Sequence, residues 1–275
     1  MTENVLSPFL KQAREQPDKL AIIDGQDNQI TYAKLDKNSQ ALAAYFSRAG
    51  IKSGHRVLLA VSVTLELYLT MAALWRLGTV IVFPEPALGL VGLKHAVNIA
   101  EPDAIVTAGK FRCLPWISKP IRQIKYKVSL PKSYPKAAYD NHIGGADDAA
   151  LISFTSGSTG VPKAIIRSHK LLLAQNRCLD PLIGHAADDD IDLVAFPVFV
   201  IANLAMGLTS VLPNRPLTEH ATVTAQHISA LIKAKNITRL LVPPVICETL
   251  KAATPPRRNY ARYLQAAGQS FQTCF

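Results

Sequence analysis

The stretch ISFTSGSTGVPK, residues 152–163, decides how the rest of the chain is read. An apolar run delivers it, Thr155, Ser156, Ser158 and Thr159 are then set around Gly157 and Gly160, and Val161, Pro162 and Lys163 close it. Hydroxyls and unhindered backbone N–H groups can surround anionic oxygens, glycine lets the main chain approach closely, and a lysine adds a mobile positive charge. A polar surface turn between two strands uses the same residue types for conformational reasons alone, and for the run by itself that is the favoured reading. Its spacing does exclude two better-known elements. A Walker A loop needs GxxxxGK[ST] opening a helix, but here Val161 and Pro162 separate Gly160 from Lys163 and the following KAIIRSH reads as a strand. A nucleophile elbow needs GxSxG, which neither Ser156 nor Ser158 satisfies.

Outward from this loop, short apolar runs alternate with helical periods. Upstream, residues 4–16 carry helical spacing in Val5, Phe9 and Ala13 and stop before Pro17, and 20–24 form a strand. A second helix starts at Thr31, with Leu35, Leu42 and Phe46 inward and Gly50 as its stop. Then come a strand at 56–62, a helix at 66–78, a strand at 79–86, a helix near 90–98, and strands at 103–108 and 149–154. Downstream, 163–169 is a strand followed by a helix, and 192–213 a strand, a tight apolar connection and a glycine-containing helix or turn. Residues 222–237 give an amphipathic helix with Ile228, Leu231 and Ile232 inward, and 238–246 a strand broken by Pro243 and Pro244. This alternation predicts an α/β fold with mostly parallel pairing.

A chain of 275 residues with 49% hydrophobic residues can bury a substantial core, and 18 prolines favour many short connections. The apolar region 57–90 is interrupted by Glu66, Arg76, Gly78 and Pro84, so it reads as strand, helix and strand, not as a transmembrane segment. The N-terminus lacks a basic region followed by an apolar core and does not read as a secretory signal. Cys113, Cys178, Cys247 and Cys274 form no CxxC pair, which fits a reducing, cytoplasmic setting better than zinc or disulfide chemistry. The net charge of +10 admits nucleic acid, acidic lipid or a phosphorylated ligand. Much of it sits in one segment, Lys110, Arg112, Lys119, Arg122, Lys125, Lys127, Lys132 and Lys136, interleaved with Phe111, Trp116, Tyr126 and Tyr134 and containing no acid. A nucleic-acid patch is one reading of it; a solvated basic face with proline-rich loops and one short strand is the favoured one, since no nucleic-acid motif accompanies the charge. Asp188, Asp189, Asp190 and Asp192 lack the spaced oxygen ligands and glycine turn of a cation loop and read as a solvated loop, so no metal site is assigned to the chain.

FTSGSTGVPKA resembles the signature loop of the adenylate-forming (AMP-binding) enzymes, which include acyl-CoA synthetases, luciferases and the adenylation domains of peptide synthetases. ITYAKLDKNSQALAAYF and WRLGTVIVFPEP resemble upstream motifs of that family, and LLVPPVICETL the strand and helix after the loop. The segment FPVF with GLTSVLPN is most similar to the fatty-acyl branch that includes the β-lactone synthetases of olefin formation. The resemblance implies layered, mostly parallel sheets with helices. It also implies ATP-dependent activation of a carboxylic acid as an acyl-adenylate, usually followed by transfer to a thiol such as coenzyme A. By the same resemblance Thr155, Ser156, Ser158 and Thr159 bind the β- and γ-phosphates of ATP, which comes with Mg²⁺; Gly157 and Gly160 give this ATP-binding loop flexibility, Lys163 steadies it, and Phe196, Phe199, Asn203 and Gly207 border an acyl pocket. Ala164 stands where the family commonly has glycine, and Ile201–Asn203 carry no histidine where many relatives have an aromatic or His gate.

In the family the adenine-binding segment, the ribose-binding aspartate and a C-terminal subdomain with the adenylation lysine come later than this chain reaches. Residues 1–255 are therefore read as an incomplete N-terminal AMP-binding domain lacking the C-terminal subdomain and inactive alone, and 256–275 as an aberrant tail. Read one base earlier from Arg262, degenerate codons for that tail can spell KIFTGGGPVFPDLF, a glycine-rich continuation of the family type. A frameshift just after Pro255 with premature termination is the expectation. Two readings compete with acyl activation: a non-catalytic nucleotide-binding or partner-binding remnant, and a nucleic-acid binder acting through 110–136.

Overall fold

The alternation of apolar runs and helical periods folds into two separate sheets. The computed structural model describes residues 4–84, 89–135, 139, 144–155, 163–183, 190–213 and 224–242. In chain order these form α1 (Ser7–Glu15), β1 (Leu20–Ile23), β2 (Gln29–Thr31), α2 (Tyr32–Arg48), β3 (Arg56–Ala60), α3 (Leu65–Arg76), β4 (Val80–Phe83), α4 (Gly89–Ala100) and β5 (Ala104–Thr107). A 3₁₀ turn (Gly109–Cys113), α5 (Leu114–Ile117), α6 (Lys119–Gln123), β6 (Tyr126–Ser129), β7 (Ala149–Thr155), β8 (Lys163–Ser168) and α7 (His169–Ile183) follow. The last elements are β9 (Ile191–Val194), α8 (Pro197–Met206), β10 (Thr209–Val211), α9 (Ala225–Ala234) and β11 (Arg239–Leu241). The chain divides into two compact units, one of residues 1–7 and 34–174, the other of 8–33 and the chain from 175 onward. The expected tail, 256–275, lies outside the described residues.

In the first unit the strand order is β6-β5-β3-β4-β7-β8, parallel throughout except for the β7–β8 hairpin. Val57, Leu58, Ile81, Val82, Ile105 and Val106 are fully buried, the near-continuous apolar signature of strands covered on both faces. Leu58, Val82, Ile105 and Ile152 pack with Ala96 of α4 and Ile121 of α6 in one apolar core. Helix α3 is buried from Leu67 to Arg76, which explains why region 57–90 has so little polar relief. Its one buried cation is held: the Arg76 guanidinium pairs with Asp36, and Nε donates to Ser39 Oγ at 2.8 Å. Burial pulls the Arg76 pKa down, and the Asp36 charge and hydrogen bond push it back up. In α2, Leu35, Leu42 and Phe46 are buried as their spacing predicts, and Gly50 beyond the helix has φ +92°. A Cβ there would lie 2.7 Å from the Tyr126 ring, so both conformation and close approach require glycine.

The second unit has the order β11-β9-β10-β1-β2, parallel from β11 to β1, with β2 antiparallel at the edge. Ile23, Leu193 and Val211 pack under Ile228 and Ile232 of α9. Thr31, the expected helix start, ends β2 instead; the helix begins one residue later at Tyr32, whose hydroxyl donates to Leu208 O at 2.8 Å. The basic segment also holds more structure than the single strand expected of it. Pro115 and Pro120 sit in the first turn of α5 and α6, where a missing N–H and a fixed φ favour helix initiation. Among the described residues no helix is long and apolar enough to cross a membrane.

Candidate functional site

The phosphate-loop candidate is defined by the strands that carry it. β7 runs parallel to β4 through Ile81↔Leu151, Val82↔Ile152 and Phe83↔Ser153, and pairs antiparallel with β8 through Phe154↔Ala164 and Thr155↔Lys163. The connection 156–162 therefore starts and ends at one paired position, at the carboxyl end of a parallel strand, the end at which open α/β sheets receive ligands. Ser156, Gly157, Ser158, Thr159 and Gly160 lie outside the described residues. Thr155 ends β7, and Lys163 opens β8 with an exposed side chain. A strand after the lysine, in place of a helix, agrees with rejecting Walker A geometry.

Several contacts fix the base of this hairpin. Trp75 Nε1 donates to Ala150 O at 2.9 Å, tying β7 to α3. Arg167 Nε donates to Ser153 Oγ at 3.1 Å across the two strands. His95 meets the Phe154 ring edge-on, with centroids 6.2 Å apart. Buried His169 closes the far end, its backbone N donating to Asp148 O at 3.1 Å while Nδ1 accepts from Val5 N at 3.3 Å.

The residues expected to border an acyl pocket all lie on α8 of the second unit or at its two ends. Phe196 caps α8, and its ring meets that of buried Phe199 edge-on, with centroids 6.0 Å apart. Gly207 ends α8 with φ +79°; a Cβ there would come within 2.5 Å of Gln12 Oε1. Asn203 is fully buried and donates from Nδ2 to Asp192 Oδ2 at 3.0 Å and to Ser210 Oγ at 3.1 Å. Phe199 is thus buried and Phe196 half-buried, while Asn203 and Gly207 fix α8.

The acidic run is not the solvated loop its composition suggests, at least at the two positions described. Asp190 and Asp192 are buried against Arg239. Arg239 Nε lies 3.0 Å from Asp192 Oδ1, an ion pair without an aligned hydrogen bond, and Nη1 lies 3.6 Å from Asp190 Oδ2. Thr238 Oγ1 donates to Asp190 at 2.8 Å. Burial pushes the Asp192 carboxyl up to about 6, against the pull of Arg239 and of the Asn203 hydrogen bond, with Asp190 adding a further push. The signal for this network was a charge inside each of two apolar strands, IDLV and RLL. Among the described residues no three His, Cys, Asp or Glu side chains gather to hold a metal ion.

The family model described as "AMP-binding enzyme" matches residues 9–273. The chain belongs to the AMP-binding enzyme family. Olefin β-lactone synthetases from Xanthomonas campestris pv. campestris and Stenotrophomonas maltophilia are each 29% identical to it, the match covering 96% of this chain and 52% of the relative. The chain thus spans about half the length of these AMP-binding relatives. The o-succinylbenzoate CoA synthetase of Bacillus subtilis, solved with its acyl-adenylate intermediate, superposes with a TM-score of 0.77 at 16% identity over 94% of this chain and 67% of that one. The fold is therefore that of an adenylate-forming enzyme's N-terminal part, with two mostly parallel sheets as the motifs imply.

Proposed function

We propose that this AMP-binding protein takes part in activating a carboxylic acid of fatty-acyl type. The carboxylate attacks the α-phosphorus of ATP, the bond to the bridging oxygen breaks, and acyl-adenylate and pyrophosphate result. A thiol such as coenzyme A then takes the acyl group and AMP leaves. The observation that carries this reading is the hydroxyl- and glycine-rich connection 156–162, closed by the Thr155↔Lys163 pair at the carboxyl end of β7. Ser156, Ser158, Thr159 and the glycine N–H groups would bind the pyrophosphate portion, where negative charge builds as the bond breaks. Mg²⁺ would enter with ATP, held mainly by phosphate oxygens. Phe196 and Phe199, on a helix fixed by Asn203 and Gly207, would border the acyl group. The exposed free thiols of Cys113 and Cys178 suit a reducing cytoplasm.

Exchange of labelled pyrophosphate into ATP, stimulated by medium- and long-chain fatty acids, tests the reading. Acid-dependent exchange by a family-length protein carrying this N-terminal part is the expected result. Binding of ATP by the longer protein with no exchange for any acid would leave a nucleotide-binding remnant and remove the enzymatic reading. Residues 256–275 are read as a shifted frame. One codon unable to contribute to KIFTGGGPVFPDLF, read one base earlier, would remove that part.

A further inference from the structure

The basic segment after β5 has a polarity that acyl activation leaves unused. Its inner side is anchored: Leu114 of α5, Ile121 of α6 and Ile124 are buried in the first unit's core. Its outer side carries Trp116 and Ile117, 80% and 59% exposed. Two large apolar side chains are thus held out into water at neighbouring positions. The main chain that carries them is tied down, because Arg122 reaches back from α6 and donates to Pro115 O at 3.2 Å and Trp116 O at 2.6 Å. Arg112 ties the preceding turn to Leu130 O at 2.7 Å. Lys110, Arg112, Lys119, Arg122, Lys125 and Lys127 are all exposed along the same segment, and no acid occurs between Asp103 and Asp140 in the sequence.

We propose that this knob, residues 109–127, docks the protein on an anionic lipid surface. The Trp116 indole and the Ile117 side chain would enter the headgroup boundary while the lysines and arginines meet lipid phosphates. Tryptophan favours that boundary because its ring is apolar and its N–H is polar. A lone apolar insertion binds a bilayer weakly, and a polybasic neighbourhood supplies the second attachment that makes binding stable. Charge alone would equally suit nucleic acid. Ile117 decides between them, since an aliphatic side chain gains from hydrocarbon but offers no flat face on which a base can stack. A lipid surface is also where an acid of the proposed substrate class would be concentrated, although the docking does not depend on that reading.

The test is co-sedimentation of the full 275-residue chain with vesicles of equal parts phosphatidylglycerol and phosphatidylcholine, against vesicles of phosphatidylcholine alone. Trp75 is buried and Trp116 exposed, so any change in tryptophan emission reports Trp116. Binding to the anionic vesicles, a blue shift, and release by salt are expected. Trp116→Ala with Ile117→Ser should lower partitioning about tenfold, and Lys119→Gln or Lys125→Gln roughly fivefold each, all with unchanged circular dichroism. No partitioning, or partitioning that the Trp116→Ala/Ile117→Ser variant leaves intact, would overturn the proposal. So would binding to a single-stranded oligonucleotide that quenches Trp116 in the absence of vesicle binding. Pyrophosphate exchange plays no part in the readout, so this proposal and the enzymatic one can fail separately.

Discussion

At Asp192 the physics of one side chain predicts a pH dependence. The carboxyl is fully buried, and its folded value of about 6 lies above the ordinary 3.8, chiefly through burial. A carboxyl raised in this way favours folding while protonated. Its contribution is complete below the unfolded value and is lost as pH rises through the folded one. An asparagine in its place cannot titrate. The stability of the wild type relative to Asp192→Asn should therefore decrease from about pH 4 to about pH 7 and then level off. Paired melting curves across that range check it; a difference that grows with pH would show Arg239 outweighing burial. Neither Asp190 nor Asp192 could be placed from the run of four acids, because composition describes a run and burial is decided residue by residue. The alternating pattern held the clue, since a charge between Ile191 and Leu193 in a short apolar strand must find a partner.

The β7–β8 hairpin shows the same division of information among elements. Its strands were legible because the apolar runs 149–152 and 164–166 on either side of a glycine-rich connection have few alternatives. Its antiparallel sense was not, since the rule of alternating strands and helices favours parallel pairing and only the short connection forces the chain to turn back. Lys163 stands on the last pair before the loop with its side chain in solvent. Lys163→Met should thus weaken ATP binding about tenfold, the worth of one charge-assisted phosphate contact, and leave the melting temperature unchanged. Titration calorimetry and a thermal melt on the same sample check both halves, and a melting temperature that falls with affinity would make the lysine structural. Helices α5 and α6 were illegible for another reason. With four and five residues they are too short to show a period, and their prolines read as loop markers when they are helix starters.

Across the whole molecule, each unit has its own sheet and its own apolar core, one around Leu58, Val82 and Ile105, the other around Leu193, Val211 and Ile228. Among the described residues each also has a buried cation that depends on a carboxylate, Arg76 with Asp36 in the first and Arg239 with Asp192 in the second. Both tryptophans, Trp75 and Trp116, fall in the first unit, so their emission follows that unit alone, whereas far-ultraviolet ellipticity follows the helices of both. Removing the partner of a buried charge strands that charge and costs about 3 kcal/mol, worth roughly 6–12 °C in a unit of this size. Asp36→Asn should then lower the midpoint seen by tryptophan emission. Arg239→Leu should lower the ellipticity transition and leave the emission midpoint in place. ATP near saturation should raise the emission midpoint, because a ligand stabilises only the part of the protein that binds it. If Arg239→Leu moves emission and ellipticity together, the two cores unfold as one cooperative unit, and a ligand held by the β7–β8 loop would stabilise the entire chain.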